Sequence, residues 1–316
     1  MTGPMSELRL MAWNLCRGGT GTPAGDVLDQ MTDLIGHLAP DVLCCVETEG
    51  ATDRIVAGLH AAGHPDYRGH RLAVDGTDDN LAIVTRLPVL DRLPAPAGRT
   101  VDSYNFGGLR LQLPDGGDVA VFDTWLRFDV AIADALEATV AEIVDGAERT
   151  RNDEQLALLE LPQLANIEEI LTEHLPAALA DSPAGQDTPV LLAGGFNTES
   201  HLDLAAGDPD YRRQVRPQWQ VTARLAKAGF ADAYRLAHPD PAADPGGTFD
   251  RPAGDQRLPH RIDYVFVDER RVRVRAAETV RRRLPCHGPG GFYSDHAALV
   301  VDASISASGP ARSLTG

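Results

Sequence analysis

The sequence predicts an α/β domain. Short apolar runs of strand length alternate with longer stretches whose apolar residues recur at helical spacing. Polar or acidic residues stand where the strand-like runs end, as at Asn14, Glu47 and Asn197. The length, 316 residues, suffices for one large domain or two small ones, and for a sizeable core.

Residues 1–6 read as a loose leader. Leu8–Asn14 (LRLMAWN) reads as a strand that ends in the loop signal Cys-Arg-Gly-Gly. A helical stripe follows at Val27, Leu28, Met31, Leu34, Ile35 and Leu38, with Asp26 placed to cap it and Pro40 beyond its end. DVLCCVETEG is again a strand, with Glu47 at its end, and ATDRIVAGLHAAG is a helix closed by Gly63. LAIVTR, GGLRLQL and DVAVFDTWL supply further strands. The span 130–180 is Ala- and Leu-rich and mostly helical, and Pro162 is expected to bend or divide its second helix. PVLLAGG is a buried strand and QWQVTARLAKAG a helix, followed by a Pro/Asp/Gly-rich loop at 238–259. RIDYVFVD, RVRVRAAETV and HAALVVD complete the strands, and residues 303–316 read as a flexible tail. With no internal repeat and no linker, the chain is expected to be one domain over 7–302 with a helical insertion around 130–180.

Hydrophobic residues make up 43% and charged residues 24%, ordinary for a globular protein. The formal charge of −17 disfavours non-specific nucleic-acid binding, which needs a basic footprint. A metal-assisted nuclease with a local patch remains compatible with it. Cys16, Cys44, Cys45 and Cys286 form no CxxC pair or Cys/His ladder, so zinc is not expected. No signal peptide and no membrane span are read from the sequence, and a cytoplasmic location is the expectation. Oligomeric state is not legible.

Strand alternation places Leu191, Ala193, Gly195 and Asn197 on one face. Asp263 stands in a strand otherwise apolar from Ile262 to Val267, where a buried carboxylate needs a partner. Ser294-Asp295-His296 immediately precedes the last strand. Each residue alone has a plain alternative: Asn14 a turn residue, Glu47 a helix cap, Asp295-His296 a loop. Their joint position at strand ends is the usual location of sites in open α/β architectures.

The order of AWNLCRGG, CVETEG, GGFNTES, HRIDYVF and YSDH resembles the endonuclease/exonuclease/phosphatase superfamily, metal-dependent phosphoesterases related to deoxyribonuclease I and exonuclease III. The resemblance runs from about Leu8 to Asp302, and LAIVTRLPV is similar to a further family segment. It implies a four-layer α/β/β/α sandwich of two packed mixed β-sheets, with a site at one end. It further implies a Mg²⁺- or Mn²⁺-dependent phosphodiester or phosphomonoester hydrolase. In that scheme Glu47 and Asp295 are metal ligands with Asn14 in the same shell. His296 contacts the phosphate, Asp263 orients and charges its imidazole, and Asn197 positions water or a phosphate oxygen.

Two positions depart from the family pattern. The usual GDFN is GGFN here, so Gly195 stands where a catalytic Asp is expected, which implies an impaired hydrolase. Trp125 stands where many members have His, and reads as the mark of a subgroup. Asp123, Glu199 and Asp203 are candidates for a substitute carboxylate, beside the plain reading that they are solvent or loop residues. The alternative function is an inactive relative that binds a phosphoester or a protein. ESHLDL, GFADAYRLAHPDP and GGTFD resemble a bacterial branch, which makes His201 a substrate contact or an ordinary loop histidine. Arg17 in CRGGTGT could reach a phosphate. Arg281-Arg282-Arg283 could steer a polyanion but reads better as solvated charge, and CHGPGGFYSDH reads as a mobile loop near the site. The expected partner is a phosphoester of small or restricted kind.

Overall fold

The structure, a computed structural model, describes residues 5–74, 78–93, 98–127, 158, 160–180, 182, 184–203, 219–249 and 261–306. Two six-stranded sheets pack face to face. The first runs β11-β12-β1-β2-β4-β3 and the second β5-β6-β7-β8-β10-β9. The first sheet is built from β1 (Met5–Asn14), β2 (Val42–Val46), β3 (Arg68–Arg71), β4 (Leu81–Thr85), β11 (Val272–Val280) and β12 (Ala298–Ser306). The second has β5 (Val89–Leu93), β6 (Phe106–Gln112), β7 (Asp118–Trp125), β8 (Val190–Gly195), β9 (Phe230–Asp232) and β10 (Asp263–Asp268). Each sheet is mixed: β1 and β2 are parallel in one, β7 and β8 in the other, and the remaining pairs are antiparallel.

Alternation along the strands explains the layers. Leu10, Val42, Ile83, Val121, Leu191 and Val265 face inward and form the core between the sheets. Their alternates face outward under helices. On the first sheet Met11, Leu43 and Val84 meet α1 (Leu28–Leu38) and α2 (Thr52–Ala61) through Met31, Ile35, Ile55 and Leu59. On the second, Phe122, Leu192 and Phe266 meet α3 (Leu161–Glu169), α4 (Leu175–Ala180) and α5 (Gln220–Lys227) through Ile167, Leu179, Val221 and Leu225. The short α6 (Ala233–Ala237) follows β9 and is capped by the Asp232 carboxylate, which accepts from Tyr234 N and Arg235 N. The result is the expected four-layer sandwich.

Several elements differ from the sequence reading. β1 begins at Met5 and pairs with β12 out to Ser306, so strand pairing reaches into both stretches expected as tails. Ala303 and Ile305 alternate inward into the core, which is what carries β12 on. Pro162 does not divide a helix. It stands in the first turn of α3, where a missing N–H costs nothing. The chain widens instead over Ile170–His174 before α4 begins. The first half of the expected helical insertion lies outside the described residues.

The α3 segment carries an unusual buried stripe of polar side chains at Glu160, Gln163, Asn166 and Glu169. Glu160 accepts from Thr198 Oγ1 at 3.0 Å and from the first amides of α5, Gln220 N at 2.7 Å and Val221 N at 3.0 Å. Asn166 Oδ1 accepts from Arg127 N at 3.3 Å, and its Nδ2 donates to Thr100 O at 2.7 Å. The stripe braces the loops that leave β7 and β8, which carry part of the candidate site.

Candidate active site

Strand direction gathers the site. β1, β2, β7 and β8 all end at one edge of the sandwich, delivering Asn14, Glu47, Trp125 and Gly195 there. β4, β10 and β12 run the other way and begin at that edge, bringing Asn80, Asp263 and His296. Non-glycine residues with left-handed backbones concentrate in the same loops. Cys16, Arg17, Glu47, Glu49 and Asn197 all have φ between 42° and 56°. Each such residue costs about 1–2 kcal/mol, so the surrounding bonds over-determine these loops, a pattern found at functional sites.

Asn14 Nδ2 donates to Glu47 Oε1 at 2.8 Å, and Asn14 Oδ1 accepts from Cys16 N at 2.8 Å. The two bonds fix the amide's orientation. The Glu47 carboxylate also receives the Arg17 amide at 3.4 Å, and Asn80 Oδ1 accepts from Glu47 N at 3.1 Å. Glu47 is therefore no helix cap. Ser294 Oγ donates to Asn14 O at 2.8 Å and accepts from His296 N at 3.0 Å, tying the Ser-Asp-His segment to the end of β1. Trp13 Nε1 adds a 3.0 Å bond to His296 O. Asp295 itself is exposed at this edge.

Asp263 and His296 form a buried pair, with Asp263 Oδ2 at 2.7 Å from His296 Nδ1. Burial alone would lower the imidazole's pKa. The touching Asp263 carboxylate, aided by Asp295 and Glu47, outweighs it and raises the pKa above the ordinary value. Because the folded-state value is raised, the pair's stabilisation is full below the unfolded histidine pKa and is lost as pH rises through the folded one. Replacing Asp263 with Asn is therefore expected to lower the His296 pKa, read by NMR titration of the chelator-treated chain. An unchanged imidazole pKa would show that the pairing does not set its charge.

Asp263 Oδ1, by contrast, is buried without a hydrogen-bond partner. It borders the place where residue 195 lacks a side chain. Cross-strand register puts Trp125, Gly195 and Asp263 in one row on the inner face. A Cβ at residue 195 would meet Trp125 Cδ1 at 3.3 Å, Asp263 Oδ1 at 3.4 Å and Val46 Cγ2 at 3.8 Å. The adjacent glycine is different. Gly194 has φ +123°, and a Cβ there would lie 2.0 Å from Thr124 O. Backbone packing demands Gly194 and does not demand Gly195.

Asn197 follows β8 in a left-handed turn, and its Nδ2 donates to Leu126 O at 2.7 Å. That bond directs Oδ1 away from the strand-end carbonyl. Arg17 and Trp125 line a cleft of about 580 Å³ together with Glu47, Asn80 and Tyr104. His201 does not join this group. Its Nδ1 lies 2.8 Å from Thr222 Oγ1 on α5, and burial lowers its pKa. The ring is thus held against a helix and does not line the cleft.

None of the proposed stand-in carboxylates, Asp123, Glu199 and Asp203, lines this cleft. Asp203 is held by Arg261 and Arg235, each with a 2.7 Å contact, and Asp123 is fully buried between the sheets. Two arginines of the basic run are held by the fold, Arg281 donating to Gly247 O at 2.9 Å, while Arg282 is exposed. Arg283 donates to Gly291 O at 2.9 Å and Gln30 Oε1 at 2.7 Å, and stacks over Tyr293. With His287 bridging Tyr293 Oη and Asp33 at 2.6 and 3.0 Å, the segment expected to be a mobile loop is braced.

Asn80 and Tyr104 were not among the residues singled out from sequence. Asn80 precedes β4, whose first residue Leu81 pairs with Val46 at the end of β2. The antiparallel neighbour's start therefore lies beside Glu47, a placement that needs the strand pairing to be known.

Comparison with known proteins agrees with this architecture. Residues 11–296 match the model of the Endonuclease/Exonuclease/phosphatase family. A Caenorhabditis elegans chain, uncharacterized protein F14F9.5, is 23% identical over 313 residues, covering 93% of this chain and 90% of that one. An endonuclease/exonuclease/phosphatase structure from Beutenbergia cavernae superposes with TM-score 0.60 at 20% identity, covering 95% of this chain and 72% of that one. The human Nocturnin catalytic domain with bound sulfate gives 0.58 at 17% identity, covering 96% of each. An AP endonuclease from Archaeoglobus fulgidus gives 0.56 at 15%, covering 93% and 98%. A match over nearly the whole length, on a fold of two mixed sheets with the family's motifs at one edge, places this chain in the endonuclease/exonuclease/phosphatase family.

Proposed function

We propose that the chain is a divalent-metal-dependent phosphoester hydrolase scaffold whose activity is strongly reduced by the missing carboxylate at Gly195. The observation that carries this reading is the buried Asp263–His296 pair at 2.7 Å beside the Asn14–Glu47 pair. One offers a charged donor and the other an anionic oxygen, at the same strand-end edge.

The donor set fits Mg²⁺ or Mn²⁺. Glu47 and Asp295 are hard oxygen ligands, and neither forms an ion pair with a described cation. Among the described residues no three acidic, His or Cys side chains converge on one point. That suits an ion bound through one or two carboxylates plus waters and substrate phosphate. When bound, such an ion would neutralise phosphate oxygens and lower the pKa of a coordinated water.

The chain's own residues would do the rest. Charged His296, oriented through Nδ1 by Asp263, would donate from Nε2 to a phosphate oxygen as negative charge builds on it. Asn197 Oδ1 would hold a water in line, its amide steadied by Leu126 O. Arg17 would contact the phosphate from the rim. The inactive binding module stands as a second reading because Gly195 removes a carboxylate while the neighbouring pairs persist.

Metal binding tests the core of the reading. Binding to the parent chain should enhance the water-proton relaxation rate of Mn²⁺, and Glu47→Gln should weaken its affinity about tenfold or more. Equal Mn²⁺ affinity for parent and variant would remove Glu47 from the site.

A further inference from the structure

Glu47 leaves β2 with a left-handed backbone, φ +55°, and Glu49, two residues on, has φ +42°. Neither is a glycine, so contacts from outside the turn must hold this conformation. Those contacts come from the segment just before β4. Three successive amides of the turn, Glu47 N, Thr48 N and Glu49 N, donate to Asn80 Oδ1 at 3.1 Å, Asn80 O at 3.2 Å and Asp79 O at 3.0 Å. Thr48 Oγ1 adds bonds to Asp79 O at 3.2 Å and Asp79 Oδ1 at 3.1 Å. Asp79 and Asn80 are thus a mould for the end of β2.

Within the mould, Asn80 supplies the side chain that engages Glu47 itself. It is buried, 3% exposed, and its amide works in both directions. Oδ1 accepts from Glu47 N, while Nδ2 donates to Tyr104 O at 2.9 Å. Tyr104 precedes β6, so this one side chain ties the first sheet to the second at the site edge. A flipped amide would set donor against donor at Glu47 and acceptor against acceptor at Tyr104, which fixes the orientation. Across Glu47, Asn14 Nδ2 donates to Oε1 at 2.8 Å. The glutamate is therefore oriented at its tip by Asn14 and at its root by Asn80.

From this arrangement we infer that Asn80 is a positioning residue: by holding Glu47 N it fixes where the Glu47 carboxylate meets Asn14, and so sets the affinity for a divalent ion. The inference rests on the metal-dependent reading above and adds to it a residue that acts through Glu47. Removing a group that orients a metal ligand typically weakens metal binding about 10–100-fold. Asn80 reaches its ligand through the backbone, so the lower end of that range is expected.

The test measures Mn²⁺ affinity of the full chain by water-proton relaxation and, with no metal added, the Asn14 Nδ2 proton resonances by NMR. Asn80→Leu, similar in shape and checked for native circular dichroism, should bind Mn²⁺ about tenfold more weakly. Its Asn14 Nδ2 protons should move toward the shifts of a free amide. Asn80→Asp keeps an acceptor for Glu47 N, so it should keep the parent Asn14 signal and bind Mn²⁺ no more weakly than the parent. Asn105→Leu is the control for losing an amide at the same edge, since Asn105 Nδ2 donates to Trp125 O at 3.0 Å and not to the Glu47 turn. It should leave both readouts at their parent values. A folded Asn80→Leu chain with parent Mn²⁺ affinity or an unmoved Asn14 signal would overturn the inference, as would an equal loss in Asn105→Leu. Should Asn80→Leu unfold, Asn80→Asp decides, and a displaced Asn14 signal there would overturn it. Failure of the parent chain to bind Mn²⁺ would count against the metal-dependent reading, while the Asn14 signal would still decide the positioning.

Discussion

The Gly195→Asp chain should hydrolyse phosphoesters at least about 10²-fold faster than the parent with Mg²⁺ or Mn²⁺, the scale of one general-base or metal-binding carboxylate. The backbone at 195 accepts a side chain, because its φ lies outside the left-handed range that would require glycine. The new Cβ would press on Trp125 Cδ1 at 3.3 Å and Asp263 Oδ1 at 3.4 Å, so these neighbours must yield by a few tenths of an ångström. Its carboxylate would stand in the row between Trp125 and Asp263, on the face that carries the unpartnered Asp263 Oδ1. Gly195→Ala supplies the bulk without the carboxylate and should show no gain. Gly194→Ala is expected to misfold the strand end, since its Cβ would overlap Thr124 O. A folded Gly195→Asp chain with no rate gain on a phosphodiester, a phosphomonoester or DNA would favour the binding-module reading.

The contrast between these glycines shows what sequence could and could not give. Alternation along VLLAGG located the strand and its inner face, and the motif order located Gly195. Whether that position was a required glycine or a missing side chain depended on Thr124 O and on the φ of each residue, which belong to pairing with β7. The same limit applies elsewhere. Asn14, Glu47, Asp263 and His296 were readable because each adjoins the apolar run of its own strand. Asn80 and Tyr104 were not, because they lie in connections whose meeting is decided by the β2–β4 and β6–β7 registers. His201 was legible only as a polar residue just past β8, and the choice between a substrate contact and a loop histidine turned on Thr222 on α5, which holds its ring.

Asp123→Val should stabilise the chain by about 2–4 kcal/mol near neutral pH, because a buried carboxyl without partners is costly and an apolar replacement of similar shape is not. Asp123 lies in the row below Gly195, opposite Ala193 on one side and Gly107 on the other, among Val121, Val265 and Cys44. It is fully buried, and neither carboxyl oxygen has a hydrogen-bond partner. Burial accordingly raises its pKa well above the usual carboxylate range, and the nearby Thr124 amide opposes this without forming a well-aligned hydrogen bond. The sign of the pH dependence follows. Above the unfolded aspartate pKa of about 3.9 the unfolded chain releases this proton while the folded chain keeps it, so its contribution to stability falls by about 1.4 kcal/mol per pH unit until the folded group ionises. Urea unfolding of parent and variant at pH 5 and pH 7 should thus show a gap that widens with pH. A constant gap near zero would mean that the carboxyl is paired or hydrated. In the Gly195→Asp background, Asp123→Val should leave hydrolysis unchanged, since Asp123 sits beneath the cleft and the carboxylate at 195 sits in it. Activity of the parent chain abolished by Asp123→Val would instead make this buried acid the working carboxylate, and its stability cost would then belong to the chemistry.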